Sequence, residues 1–271
     1  MNFGLIVIGD EILSGKRADK HLPKVVELLA SRGLALSWAR LVGDDPERIR
    51  ADLKDAFASG DVVFSCGGIG ATPDDHTRQC AAAALGVPLV LHPQARDLVI
   101  ERMRDQAREQ GLPYEPDRDD NRHRLNMAVF PAGAEVIPNP YNKIAGFAVR
   151  TGADLRGGVF FVPGFPVMAW PMIEWVLDEH YRDLQRDPAT RERSVIVFGA
   201  MEAALTPLME ELERAFPGIK VFSLPSVDHP EWGRHIELGV KGEAGLLAAA
   251  FARMRAELDA RGVELGPELV R

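Results

Sequence analysis

The sequence predicts an α/β protein: a doubly wound, mostly parallel sheet over residues 1–185, followed by a smaller α+β domain over residues 192–265. Three observations carry this. Apolar runs of strand length alternate with segments that are apolar at helical spacing. The connections between them are short, so each crossover returns the chain to a parallel sheet covered by helices on both faces. Residues 185–191, Gln-Arg-Asp-Pro-Ala-Thr-Arg, then have linker composition before a new pattern starts.

Residues 3–9 are an apolar, β-branched run ended by Gly9, as in a buried strand. Over 19–31, Leu22, Val25, Val26, Leu29 and Ala30 recur at helical spacing, and Gly33 stops the helix. Residues 34–42 form a second strand. Asp45-Pro46 opens a helix with Ile49, Leu53, Ala56 and Phe57 on its inner face. Residues 61–66 are a third strand, 73–85 a third helix and 93–110 a fourth, while 111–123 have loop composition. Short strands fall near 127–130, 134–137, 145–149 and 158–162. A long helix covers 166–184, kinked at Pro171 or beginning there. The small domain reads as a strand at 194–198, a helix at 203–215, strands at 219–223 and 234–240, and a helix at 243–260.

Composition narrows the function. With 46% hydrophobic and 27% charged residues in 271, the chain is an ordinary globular one. It has no apolar run of membrane-spanning length, and Met1-Asn2 leads directly into the first strand without a basic leader, which predicts a cytoplasmic protein. The two cysteines, Cys66 and Cys80, lie in a strand and a helix without zinc spacing and read as buried thiols. A net charge of −8 argues against a nucleic-acid partner, and the small domain lacks the basic GxxG loop of an RNA-binding KH module. A small phosphorylated ligand remains compatible, held by local backbone dipoles and a divalent cation.

The third strand feeds into Gly67-Gly68-Ile69-Gly70-Ala71-Thr72-Pro73-Asp74-Asp75. Three glycines between a strand and a helix allow main chain to approach a ligand closely, and the helix start favours phosphate oxygens. The loop is neither a Walker A sequence nor a GxGxxG fingerprint. A capping box, with Thr72 as N-cap, Pro73 first and Asp75 third, would explain the helix start without a ligand. Thr206-Pro207 opens a helix in the same way with no glycine turn before it, so capping alone leaves Gly67, Gly68 and Gly70 unexplained.

Acidic pairs follow each of the first three strands: Asp10-Glu11, Asp44-Asp45 and Asp74-Asp75. In a parallel sheet all three lie at the carboxyl edge, where open α/β sheets bind ligands. Their mutual repulsion calls for a cation such as Mg²⁺, bridged by one or two of these carboxylates. With Asp75 read as the capping-box acid, it is Asp10, Asp44 and Asp74 that have no capping task. Asp45 before Pro46 reads as an N-cap. Pro163-Gly164-Phe165-Pro166 joins another strand to a helix, with Phe165 available to cover a planar ring. Lys143, in the turn after Asn139-Pro140, is a candidate phosphate contact.

Gly9-Asp10-Glu11-Ile12-Leu13-Ser14-Gly15, Val42-Gly43-Asp44-Asp45, residues 67–77, Asn139-Pro140, Gly146-Phe147 and Pro163-Gly164-Phe165-Pro166 together resemble the N-terminal domain of CinA-type (competence/damage-inducible protein A) proteins. These belong to the molybdopterin-binding superfamily of MoaB, MogA and the gephyrin G domain. The resemblance covers roughly residues 4–185. It implies a MogA-like fold with the ligand at the carboxyl edge of the sheet and phosphate at Gly67, Gly68, Gly70, Ala71 and Thr72, flanked by Gly9, Glu11 and Asp74. It also implies that Asp44 and Asp75 take part in pterin or nucleotide chemistry, and that subunits associate into a homo-oligomer. Some relatives hydrolyse ADP-ribose or FAD with a divalent metal (Mg, Mn or Co), so the leading expectation is a metal-dependent nucleotide pyrophosphatase with Asp44, Asp75 and Asp10 as its metal and catalytic carboxylates. A non-catalytic molybdopterin-binding protein of molybdenum cofactor metabolism is the alternative. The residues after 265 leave no room for the amidase domain that ends full-length CinA-type proteins. The family's Asp-Thr-Asn stands here as Asp19-Lys20-His21, its Gly-Pro-Thr as Gly70-Ala71-Thr72, and its Gly-Thr-Ala-Pro-Gly as Asn142-Lys143-Ile144-Ala145-Gly146, all in loops that would face a ligand.

Overall fold

The computed structural model describes residues 1–152, 154–185 and 190–270. The chain divides into two units, Met1–Gln185 and the residues that follow; residues 186–189 of the expected linker lie outside the described residues.

The first unit runs β1 (Phe3–Ile8), α1 (Asp10–Leu13), α2 (His21–Ala30), β2 (Leu36–Val42), α3 (Pro46–Ser59), β3 (Val62–Cys66), α4 (Thr77–Leu85), β4 (Leu89–Leu91), α5 (Pro93–Glu109), α6 (Asp119–Arg124), β5 (Val129–Pro131), β6 (Glu135–Ile137), β7 (Gly146–Thr151), β8 (Gly157–Val162) and α7 (Pro166–His180). Its main sheet has the order β2-β1-β3-β8-β7-β6, parallel from β2 to β8 and antiparallel at β7 and β6. Every residue of β1, β3 and β8 is buried, because these strands are covered on both faces, and all but Ser65 are apolar or glycine. One core, around Leu5, Phe64, Phe160 and Ile173, lies on one face; Ile6, Leu53, Val63 and Phe161 belong to the core on the other. The chain passes from β1 to β2 on one side and to β3 on the other, so β1 and β3 flank a topological switch point. A crevice opens beyond their carboxyl ends.

The differences from expectation have local causes. Asp10-Glu11 begin a single helical turn rather than a loop. The third helix starts at Thr77, not Pro73, and residues 71–76 make a turn. Residues 119–124, which overlap the loop expected over 111–123, are helical, with acidic residues in the first turn and basic residues in the last, complementing the helix dipole. β4, too short for a periodicity signal, pairs with β5 in a two-stranded sheet. Pro171 lies inside α7, which starts at Pro166 and ends at His180.

The second unit contains β9 (Thr190–Phe198), α8 (Glu202–Ala215), β10 (Lys220–His229), β11 (Gly233–Glu243), α9 (Ala244–Ala260) and β12 (Glu264–Val270). Its sheet, ordered β10-β11-β9-β12, is antiparallel throughout, and Val195, Val197, Leu208, Leu238, Phe251 and Met254 form the core with α8 and α9. β12 reaches beyond the expected limit at 265; Gly266 and Pro267 interrupt its strand pattern, and the pairing with β9 slips there. Thr206-Pro207 does not open α8. Pro207 sits inside the helix and the Thr206 hydroxyl donates to Glu202 O at 3.2 Å, so the comparison with Thr72-Pro73 fails. Among the described residues no helix is long and apolar enough to cross a membrane.

Candidate functional site

The crevice beyond β1 and β3 is a cleft of about 140 Å³ lined by Ile8, Gly9, Glu11, Arg17, Asp44, Gly67, Gly68, Asp74, Asp75, Gly164 and Phe165. A second depression of about 270 Å³ shares Glu11, Arg17, Gly164 and Phe165 with it and extends to Lys20 and His21. Phe165, 57% exposed, stands where the two meet.

The glycines have structural causes that the sequence does not reveal. Gly67 has φ +113°, and a Cβ there would lie 2.3 Å from the main-chain oxygen of Ile8. Its N–H donates to Val162 O at 3.0 Å, so the turn is wedged between β1 and β8. Gly68 has φ +66°, and its Cβ would meet the Thr77 hydroxyl at 2.2 Å. Thr77 braces the loop, its hydroxyl donating to Gly67 O at 3.1 Å and its N–H to Gly68 O at 3.0 Å. The first N–H of α4 is therefore spent on the loop and does not face a ligand, which corrects the expected phosphate position on a helix start. Arg78, buried, donates from its guanidinium to Ile69 O and Gly70 O; burial lowers its pKa and the Asp75 charge partly restores it. Sequence reading missed Arg78. An arginine one residue into a helix after a glycine-rich turn is the available signal.

Thr72 does not cap a helix. Its N–H and hydroxyl both donate to Asp75 Oδ2, at 2.8 and 2.6 Å. This is the capping-box contact in a free turn, and it occupies the Thr72 amide. Gly70 is packed against the same carboxylate, its Cβ position 2.5 Å from Asp75 Oδ2. Gly70, Ala71 and Thr72 do not line the cleft. Among the described residues the N–H groups of Gly68, Ile69, Gly70 and Ala71 have no protein acceptor, and of these four residues Gly68 lines the cleft.

The acidic pairs divide by task. Asp45 is the N-cap of α3, accepting from the N–H groups of Glu47 at 2.8 Å and Arg48 at 3.0 Å. Asp10 and Asp44 exchange bonds: Asp10 N–H donates to Asp44 Oδ2 at 2.9 Å and Asp44 N–H to Asp10 Oδ1 at 3.1 Å. This tie fixes the β1 and β2 edges together and turns Asp10 away from the cleft lining, where it was expected. Partial burial raises the Asp44 pKa; the Asp10 amide opposes this, while the charges of Asp10, Glu11 and Asp74 add to it. Asp44, Asp74, Asp75 and Glu11 thus line one cleft, with Arg17 as its cation. Among the described residues no three His, Cys, Asp or Glu side chains converge as a metal cage.

Lys143 is corrected outright: its Nζ is held by Glu101 at 2.5 Å and Asp105 at 2.6 Å, on α5. Those two carboxylates raise its pKa, and Lys143 is not part of the cleft lining. Pro163 does not line the cleft, whereas Gly164 and Phe165 do. The Gly164 carbonyl is held by buried His21, whose Nε2–H donates to it at 3.0 Å. Both cysteines are buried free thiols.

The family described as "Probable molybdopterin binding domain" matches residues 4–183, which contain the entire cleft. This chain belongs to the CinA-type molybdopterin-binding family. A CinA-like protein of Anaeromyxobacter dehalogenans (strain 2CP-C) is 34% identical over 220 residues, covering 79% of this chain and 50% of that one. A protein of Pyrobaculum calidifontis is 30% identical over 235 residues, covering 86% of this chain and 85% of its own. CinA from Thermoplasma acidophilum has the same fold as the CinA-type unit described here, with a TM-score of 0.54 at 24% identity over 66% of this chain and 98% of that one. The chain spans about half the length of the CinA-like relatives from Anaeromyxobacter.

Proposed function

We propose that the cleft binds a phosphorylated nucleotide or pterin and hydrolyses a pyrophosphate bond of the ADP-ribose or FAD kind with a divalent cation. The observation that supports this most is the lining itself: the Gly68 turn, a set of carboxylates from three loops and an exposed aromatic ring meet in one crevice. The residues fit a cation that takes only one or two ligands from protein. Asp44, with Asp74 or Asp75, would hold it, and phosphate oxygens and water would complete its shell. Such a cation (Mg, Mn or Co) supplies charge neutralisation at the phosphoryl oxygens and acidifies water.

The chain's own groups supply the rest. The Gly68 N–H is a backbone donor for phosphate, and Arg17 can pair with a second oxygen. Phe165 offers its face to a nucleobase or pterin ring. A lining carboxylate left free by the cation would accept a proton from the attacking water. The matched family description favours a second reading, in which the same cleft retains molybdopterin without turnover.

Incubation with ADP-ribose or FAD and each of Mg²⁺, Mn²⁺ and Co²⁺ separates these. AMP release is expected, falling at least about 100-fold in Asp44→Asn. Cation binding needs the Asp44 carboxylate, whose pKa is raised. Activity should therefore decline with falling pH from a point above the ordinary carboxylate range. Tight pterin binding without AMP release would favour the second reading, and neither would dispose of both.

A further inference from the structure

The second unit contains a cleft of about 690 Å³ at the end of its sheet where β9 passes into α8. This volume lies within the roughly 300–1,000 Å³ typical of small-molecule sites. We propose that it is a separate binding site for a phosphomonoester carrying an apolar body, anchored by Arg234 and His235. The proposal does not rest on the reading of the first unit.

His235 lines this cleft, yet the residue is only 6% exposed. Its Nδ1–H donates to Gly233 O at 2.9 Å, which places the proton on that nitrogen in the neutral ring. The ring packs edge-on against His229 at 5.3 Å, Trp232 at 5.5 Å and Phe198 at 6.5 Å. Among the described residues nothing meets its Nε2. The residue as a whole is buried, while its Nε2, held by no protein group, is open to the solvent of the cleft and available to a ligand. Arg234, the preceding residue, also lines the cleft and forms no ion pair among the described residues.

Two further features select the ligand. α8, a 14-residue helix, starts at the cleft wall with Met201 as N-cap and no side-chain cap. The N–H groups of Glu202 and Ala203 are without a protein acceptor and carry the positive end of the dipole. Met201 and Val227, 74% and 73% exposed, stand with Pro225 as apolar walls. A phosphomonoester satisfies Nε2 in either state of the ring: a P–OH donates to the neutral imidazole, and a P–O⁻ accepts from the imidazolium. An ionised carboxylate can do only the second. Glu202, also in the lining, partly offsets the charge of Arg234.

Titration of the full chain with phenyl phosphate, followed by ¹⁵N–¹H spectra of the histidine rings and by calorimetry, tests this. A saturable shift of the His235 nitrogens is expected. Arg234→Gln, at an exposed position that leaves the core intact, should weaken binding at least about tenfold, and benzoate should bind at least about tenfold more weakly than phenyl phosphate. Asp44→Asn, in the other unit, should leave the affinity unchanged. Absence of a saturable shift, binding that survives Arg234→Gln, binding lost in Asp44→Asn, or benzoate binding as tightly as phenyl phosphate would each overturn the assignment.

Discussion

Gly67→Ala is expected to lower the melting temperature of the first unit by about 10 °C and to abolish ligand binding in its cleft. Two penalties add. An L-residue at φ +113° is strained by about 1–3 kcal/mol, and a Cβ 2.3 Å from Ile8 O must push apart two central strands. Together they come to about 3–5 kcal/mol, and each kcal/mol shifts the midpoint of a unit this size by about 2–4 °C. Gly60→Ala is the control. Gly60 has φ +71° with nothing within 4 Å of its Cβ position, so only about 1 kcal/mol of backbone strain is expected. Equal melting temperatures for the two variants, measured by calorimetry, would contradict this account of the loop.

Arg78→Leu is expected to cost about 3 kcal/mol and to weaken ligand binding with it. The guanidinium is buried and spans the Ile69 and Gly70 carbonyls; removing it leaves both without a donor beneath the cleft. Arg78→Lys should recover only part of the loss, because one ammonium cannot reproduce the planar fork that reaches two carbonyls. Denaturant unfolding together with ligand titration reads both effects. Full stability in Arg78→Leu would show that the loop holds its shape without the arginine.

The architecture was legible where periodicity and punctuation agree. β1 is an uninterrupted apolar run, β3 is one broken only by Ser65, and Asp45-Pro46 opens α3 as its cap chemistry requires. The glycine turn was legible as a turn, but its reasons were not. The neighbours that exclude a side chain at Gly67 and Gly68 are Ile8 and Thr77, one of them nearly sixty residues away in sequence. The α4 start was misplaced because Thr72-Pro73 and Asp75 satisfy the capping box locally, while tertiary bonds from Thr77 set the true start. The place of Lys143 is hidden for the same kind of reason: its partners Glu101 and Asp105 come from a helix distant in sequence. β12 escaped notice because its outward residues and Gly266-Pro267 hide a strand that only pairing with β9 supports.

A crystal grown with ADP-ribose and Mn²⁺ bears most directly on the proposed cleft. The account predicts the pyrophosphate against the Gly68 N–H, the adenine over Phe165, and an anomalous Mn²⁺ peak joining Asp44 and a neighbouring carboxylate to a phosphate oxygen. A pyrophosphate bound away from Gly68, or a Mn²⁺ peak remote from Asp44, would contradict it.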